Sequence, residues 1–316
     1  MISSLELARM CGVSQGSVDR ALHNRPGIRQ ATRQRILEMA RTRGYQANPA
    51  AREMLHGVRI MVGAILPALD SMFFLDLFQA IRQKIAADGY RLMFTPVADA
   101  SEFTDVLEDF AARRFAAALV VPPREEIELP TFITENMPVV AYASECRGRN
   151  THFLSPDELG TGRLGTRYLL SLGHRHIAHL TYTRKARGLT LRSAGYEAAM
   201  RDAGLHPQVM RGLTPDALLQ LVRQQKITAL FCHNDPLAMQ ARQVLERAGF
   251  SVPGQVSILG VDNSPQFQAI CPDLTTLAYP MSSIAEQTAR ILRGEAPENT
   301  DEVTLVERNT CRKVEP

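Results

Sequence analysis

Between residues 59 and 261, short apolar, β-branched runs alternate with amphipathic stretches, and this restricts the fold more than any other feature of the chain. Residues 59–67, 91–94, 117–121 and 139–142 read as buried strands, with helices predicted over 73–88 and 101–114. A second series follows: helix 157–172, strand 177–182, helices 193–203 and 214–225, strand 229–232, helix 236–248 and strand 256–261. Strands apolar on both faces and separated by helices require parallel sheets covered on both sides. Two such series predict an α/β body of two similar lobes.

The first 57 residues are different. They hold nine arginines, no lysine and four carboxylates, a net of +5, whereas the whole chain is +3, which leaves −2 for the remainder. A basic module joined to a mildly acidic body suits contact with phosphate at one end; a solvated arginine-rich helical face is the alternative. Ser3 or Ser4 is placed to cap a first helix through Met10, with Glu6 completing a capping box with Ser3, and Gly12 stops it. Ser14 opens a second helix to about residue 23, on which Val18 and Leu22 share a face. Ala8 is small enough for close helix crossing, and with Gly12 and Val18 it fits a helix-turn-helix whose second helix enters the major groove. After Pro26 and Gly27, a third amphipathic helix over 30–43 turns Ile36, Leu37 and Ala40 inward and ends at Gly44 and Tyr45. A purely structural three-helix bundle remains the other reading.

Several function classes are disfavoured. No apolar run reaches the roughly 18 residues of a membrane span, and the start has neither the basic nor the apolar region of a signal peptide, so a soluble, cytoplasmic protein is expected. The five cysteines stand singly, with no CxxC, which suggests reduced thiols rather than disulfides or a zinc site. Residues 160–165 satisfy GxGxxG but follow a helix start rather than a strand, and no acidic residue lies near 185, so the glycines read as close helix packing. His176 and His179 would point to opposite faces of a strand, against a metal cluster with His174. No serine has a nucleophile-elbow context and no Cys/His pair reads as a dyad. No catalytic residue, metal or cofactor is therefore expected.

Open α/β sheets bind ligands beyond the carboxyl ends of their strands. Asn234 and Asp235 follow one strand, Asp262 ends another, and Arg192 opens the helix after a third. A guanidinium, an amide and carboxylates converging there supply donors and acceptors for vicinal hydroxyls. Phe73, Phe74, Tyr142 and Met281 are candidate apolar walls or core residues; Asp235 could equally cap its helix, whereas for Asp262 fixing a turn is the lesser alternative to a ligand contact. The loop Arg184-Lys185-Ala186-Arg187 lies near the crevice mouth, where it suits a phosphorylated or carboxylated ligand or is simply a solvated basic loop.

Residues 7–23 resemble the helix-turn-helix of the lactose, galactose and purine repressor family; 32–36 with Gly44-Tyr45 resemble its third helix and exit, and 48–55 its hinge helix. Residues 172–178, 192–196, 231–235, 259–262 and 274–277 resemble the same family's periplasmic-binding-protein-like body in order and spacing. The resemblance implies an all-α helix-turn-helix domain at 1–46, a hinge at 47–57, and a two-lobed effector-binding and dimerisation domain of parallel sheets at 58–316. It also implies three crossings between lobes, with 279–294 returning to the first. Implied DNA contacts are Ser14, Gln15, Gly16, Ser17, Asp19, Arg20 and Arg25, joined by Asn48, Ala51 and Met54 of the hinge. Effector contacts carry over to Arg192, Asn234 and Asp262. Two departures stand out. Gly16 removes a base-reading side chain and Asp19 brings negative charge towards DNA, while Met54 replaces the leucine that relatives wedge into the minor groove. The expected protein is an effector-responsive transcriptional repressor without enzymatic activity. Its expected partners are palindromic double-stranded operator DNA, a carbohydrate-like small molecule and a second copy of itself. An α/β sugar- or nucleoside-processing enzyme with an accessory helical domain is the runner-up; a periplasmic binding protein would need a signal peptide.

Overall fold

The computed structural model describes residues 2–22, 24–45, 59–66, 72–184, 186–299 and 302–314. The chain divides into two compact units, residues 1–59 and 60–316. The hinge reading, with Asn48, Ala51 and Met54, lies outside the described residues.

The first unit holds helices α1 (Ser4–Cys11), α2 (Gln15–Leu22) and α3 (Gln30–Thr42). Ser3 caps α1 reciprocally: its Oγ accepts from Glu6 N at 3.2 Å, and the Glu6 carboxylate accepts from Ser3 N at 2.7 Å. Gly12 ends the helix in the left-handed region at φ +59°, a conformation that favours glycine. Ser14 Oγ accepts from Ser17 N at 3.2 Å and starts α2. Leu7, Ala8, Cys11, Val18, Ala21, Ile36 and Ala40 form the core, and Met39 rather than Leu37 packs against it from α3.

The second unit opens with β1 (Met61–Leu66), α4 (Met72–Ala86), β2 (Arg91–Pro96), α5 (Ala100–Ala112), β3 (Ala117–Val120), β4 (Glu126–Glu128), α6 (Thr131–Asn136), β5 (Val139–Tyr142), β6 (Glu145–Arg147) and β7 (Thr151–Leu154). Five of these strands make a parallel sheet in the order β2-β1-β3-β5-β7, and β4 pairs with β6 apart from it. The period of two along β1 sends Ala64 and Leu66 to one face with Phe78 and Ile81 of α4, and Ile65 to the other with Phe103, Leu107 and Phe110 of α5.

The chain then crosses into α7 (Glu158–Ser171), β8 (Ile177–Thr181), α8 (Arg187–Asp202), β9 (Gln208–Arg211), α9 (Pro215–Arg223), β10 (Ala229–Cys232), α10 (Asp235–Arg247), β11 (Ser257–Asp262), α11 (Pro265–Ile270), β12 (Thr276–Ala278), α12 (Met281–Leu292) and β13 (Thr304–Val306). The second sheet runs β13-β12-β11-β10-β8-β9, with β13 antiparallel to its neighbour. Ile284, Ala285, Ala289 and Ile291 of α12 bury themselves in the first sheet's core beside Phe78 and Ile81, and β13 returns to the second sheet. These are the three crossings and two lobes that the resemblance implies.

Two differences from the sequence expectation concern boundaries and short elements. Helix α8 begins at Arg187, not at 193, so Arg192 lies inside the helix rather than opening it. Gly188 and Thr190 argue against helix on propensity, but Gly188 N donates to Ala143 O at 3.1 Å and Thr190 Oγ1 to Glu125 at 2.5 Å, so contacts with the first lobe hold the extra turn. The unanticipated β4, β6, β7, β9, β12 and β13 are only three or four residues long, and β4, β7 and β9 are largely half-exposed, which leaves little apolar pattern to read. No helix among the described residues is long and apolar enough to cross a membrane.

Helices α7 and α8 approach unusually closely. A Cβ on Gly162 would stand 2.2 Å from Arg192 O, and one on Gly195 2.1 Å from Leu159 O. Within the GxGxxG segment, Gly162 therefore lets two backbones meet inside helical structure that starts at Glu158. That approach positions the site.

Candidate functional site

A cavity of about 100 Å³ opens between the lobes at the carboxyl ends of both sheets. The first lobe lines it with Phe73, Phe74, Leu77, Val121, Tyr142 and Leu154, and Ile284 joins them from α12. The second supplies Arg184, Arg192, His233, Asn234 and Asp262, with Glu158 and Tyr279 on the connecting segments.

Arg192 is the centre of this polar group. It is 3% exposed, and its Nε and Nη2 donate to Glu158 Oε2 at 2.9 and 2.7 Å. Nη2 also donates to Tyr279 Oη at 2.9 Å, Nη1 donates to His233 O, and Tyr279 Oη donates to the other Glu158 oxygen. Burial opposes the charge on Arg192, but the Glu158 carboxylate outweighs it and raises the guanidinium pKa. The close α7–α8 crossing makes this pair possible, since Glu158 stands four residues before Gly162, whose contact is the backbone of Arg192 itself.

Asp262 ends β11 at φ +118°, a sparsely populated conformation for a residue with a side chain. Burial, reinforced by the nearby Asp235 carboxyl and only partly opposed by Arg192, pushes its pKa well above the usual carboxylate range. Asp235 does not line the cavity. It lies behind Asp262, accepting from Thr276 Oγ1 at 2.6 Å and Asn263 N at 2.8 Å, and so braces the strained loop. Burial raises Asp235 to about 7 against the opposing pull of those bonds and of Arg308 and Arg192.

Asn234 caps α10 through Oδ1, which accepts from Leu237 N at 3.2 Å and Tyr182 Oη at 3.1 Å. Both oxygen lone pairs are thereby engaged, and the amide N–H groups remain for the cleft. Of the predicted walls, Phe73 and Phe74 line the cavity, with Phe73 edge-to-face on Tyr279 at 5.0 Å. Tyr142 contributes its ring, its hydroxyl bonded to Thr288 Oγ1 at 2.8 Å behind the wall. Met281 is not a lining residue; it starts α12 and packs on the first-lobe core.

On the first unit, Ser14, Gln15, Gly16, Arg20 and Arg25 are exposed and Ser17 and Asp19 half-buried, while Val18 and Ala21 of the same helix are buried. Asp19 pairs with Arg25 at 3.1 Å, so the carboxylate that sets this helix apart stands beside a cation. Gln15 Nε2 donates to Ser4 Oγ at 2.7 Å and ties the start of α2 to α1. The three histidines do not converge: His174 bonds Thr228 and Ser257, and His179 bonds Phe231 O.

Residues 166–311 match the family described as periplasmic binding protein-like domain. The purine repressor PurR of Histophilus somni is 25% identical, with 97% of this chain and 96% of that protein covered. The Escherichia coli K12 regulators GalR and CytR are 26% and 28% identical, over 92% and 91% of this chain and 88% and 87% of theirs. Over nearly its whole length the chain is thus similar to HTH-type transcriptional repressors and regulators. It is a DNA-binding transcriptional regulator, and the named relatives are regulators rather than enzymes. In fold it matches the lac repressor dimer solved with operator and an anti-inducer, at a TM-score of 0.81 and 18% identity over 98% of this chain and 99% of that one.

Sequence reasoning missed Glu158, Tyr279 and Tyr182. Glu158 read only as part of a helix start, and no local pattern links it to an arginine 34 residues away. Tyr182 was placed at the end of a strand, but its bond to Asn234 forms only when β8 and β10 pair.

Proposed function

We propose that this regulator represses transcription by binding a palindromic operator as a homodimer in the cytoplasm, and that a polyhydroxylated small molecule in the interlobe cleft shifts its affinity for DNA. The observation that carries the ligand class is the convergence of the Asn234 amide, the Asp262 carboxyl and the Arg192–Glu158–Tyr279 group against Phe73 and Phe74. Apolar rings facing directional polar groups suit a sugar, whose ring faces are apolar and whose edges are hydroxylated. The domain division is taken as 1–46, 47–57 and 58–316, with the effector domain biasing DNA binding only through the ligand's differential affinity for two lobe arrangements.

At the DNA, the exposed side of α2 carries the reading, with Ser14, Gln15, Ser17 and Arg20 towards the groove, Gly16 admitting close backbone approach and Arg25 holding Asp19. Met54 is proposed as a minor-groove wedge, with Asn48 and Ala51 on the same segment. The test is selection of bound duplexes from a random pool by the full-length protein. A palindrome should emerge, and Arg20→Ala should weaken it by about 1 to 3 kcal/mol while leaving random DNA little changed. Equal weakening on both would reduce Arg20 to a phosphate contact, and a pool with no enriched sequence would refute operator recognition.

A further inference from the structure

One corner of the cleft gathers hydrogen-bond donors around an arginine that has no carboxylate partner among the described residues. The ring of Tyr182 gathers three donors: Arg184 lies over its face, Cζ 5.5 Å from the centroid; His233 meets it edge-on at 5.9 Å; and its hydroxyl donates to Asn234 Oδ1 at 3.1 Å. All four residues line the cavity. The acceptor side of Asn234 is spent on Tyr182 and Leu237, so its amide faces the cleft with N–H groups alone. His233 Nδ1 is buried without a hydrogen-bond partner among the described residues. Burial first, then Arg192, His179 and Arg184, keep this imidazole neutral, so it has one N–H to offer.

Charge points the same way. The other lining arginine is matched, Arg192 by Glu158 at 2.7 Å, and so is Arg187 of the neighbouring segment, by Glu145 at 3.1 Å. Arg184 faces no carboxylate within ion-pair distance among the described residues. The lining carboxyl that remains, Asp262, is pushed towards its neutral form by burial, so among the described lining residues Arg184 is a cation without a carboxylate partner.

We infer that the small molecule carries an anionic group, a carboxylate or a phosphate, seated against Arg184 in the corner made by Tyr182, His233 and Asn234, with its hydroxyls directed to Asp262. The inference rests on the ligand class proposed above and narrows it to an acidic or phosphorylated sugar. Guanidinium forks pair with both groups through parallel N–H bonds, so the two are alike at Arg184 and differ in charge and bulk.

Titration calorimetry on the full-length protein separates them, with glucose, gluconate, glucuronate, glucose 6-phosphate, ribose and ribose 5-phosphate as probes. At least one anionic probe should bind tenfold or more tightly than its neutral parent, and that preference should fall at least fivefold in Arg184→Ala, fall less in Arg184→Lys, which keeps the charge but not the fork, and shrink with added salt. The retained melting temperature of both variants checks that the exposed loop substitution leaves the fold intact. Preference confined to gluconate and glucuronate assigns a carboxylate, and preference confined to the phosphates assigns a phosphate. Neutral parents binding as well as their anionic forms would overturn the inference and leave the sugar-sensing reading standing. An anion preference that survives Arg184→Ala would also overturn it. Failure of every probe to bind would overturn both readings together.

Discussion

The two lobes are built alike, each a sheet of mainly parallel strands with helices on both faces, yet they meet the cleft with opposite chemistry. The first presents mainly Phe73, Phe74, Leu77, Val121, Tyr142 and Leu154, and its buried tyrosine hydroxyl turns away to Thr288. The second presents Arg184, Arg192, His233, Asn234 and Asp262, and binds Glu158 and Tyr279 into the same network. Apolar contact is non-directional and tolerates sliding, whereas hydrogen bonds are selective in angle and distance. The division suggests that the second lobe chooses the ligand and the first closes over it, so that discrimination and lobe movement are carried by different residues.

Breaking the second lobe's buried ion pair should have the largest effect. Glu158→Leu or Arg192→Leu alone leaves an uncompensated buried charge and should cost about 3 to 5 kcal/mol of unfolding free energy, whereas the double replacement should recover most of it. A single-variant loss below about 1 kcal/mol would mean the pair behaves as a solvated surface bridge. Next comes Gly162→Ala, expected to cost about 2 to 3 kcal/mol in denaturant unfolding because the Cβ meets Arg192 O, a backbone atom that cannot swing aside. The same variant should weaken ligand binding by displacing Arg192; unchanged stability would show that α7 and α8 can part freely.

Acid sensitivity should also belong to the second lobe, which holds the buried His174 and His179 and the half-buried His233 with pKa values lowered chiefly by burial. His179 is held down to about 3 by burial, with Arg192 and Arg211 adding to the effect and Phe231 O opposing it. Its folded value lies below its unfolded one, so the unfolded chain takes up a proton that the folded chain refuses. The contribution is whole above about pH 6.5 and is lost as pH falls towards 3. His179→Phe should therefore flatten the pH dependence of stability over that window by about 1.4 kcal/mol per pH unit. An identical slope in the variant would contradict the burial argument. Smallest is Phe74→Ala in the first lobe, expected to weaken all bound probes by about 1 kcal/mol without reordering them. A changed rank order in calorimetry would dissolve the separation between choosing and closing.

Much of this architecture is legible in the sequence where structure is local or strongly patterned. β5 and β10 occupy the residues predicted for them, and the Ser3–Glu6 capping box and the Gly12 stop form as the local chemistry dictates. The apolar walls Phe73 and Phe74 are where the pattern put them, and Arg192, Asn234 and Asp262 do converge on one cavity. What the sequence hides are consequences of packing. Asp235 reads as a cleft carboxylate because it follows a strand, yet its side chain turns back to brace Asn263. Met281 stands at a lobe crossing, but the helix it begins packs it, partly buried, against the first-lobe core. Glu158 and Tyr279 acquire their meaning only once close helix approach and the lobe crossing bring them to Arg192.

Control of DNA binding by a ligand in this cleft is expected to run through the second lobe's polar groups. It is tested most directly by measuring affinity for the selected palindrome at fixed salt, with and without a saturating probe sugar that binds the wild type. Wild type, Asn234→Ala and Asp262→Ala are compared. Wild type should change its DNA affinity several-fold on adding the probe, and both variants should bind the palindrome without it but lose that response. A full response in both variants, or none in the wild type despite probe binding, would contradict the account.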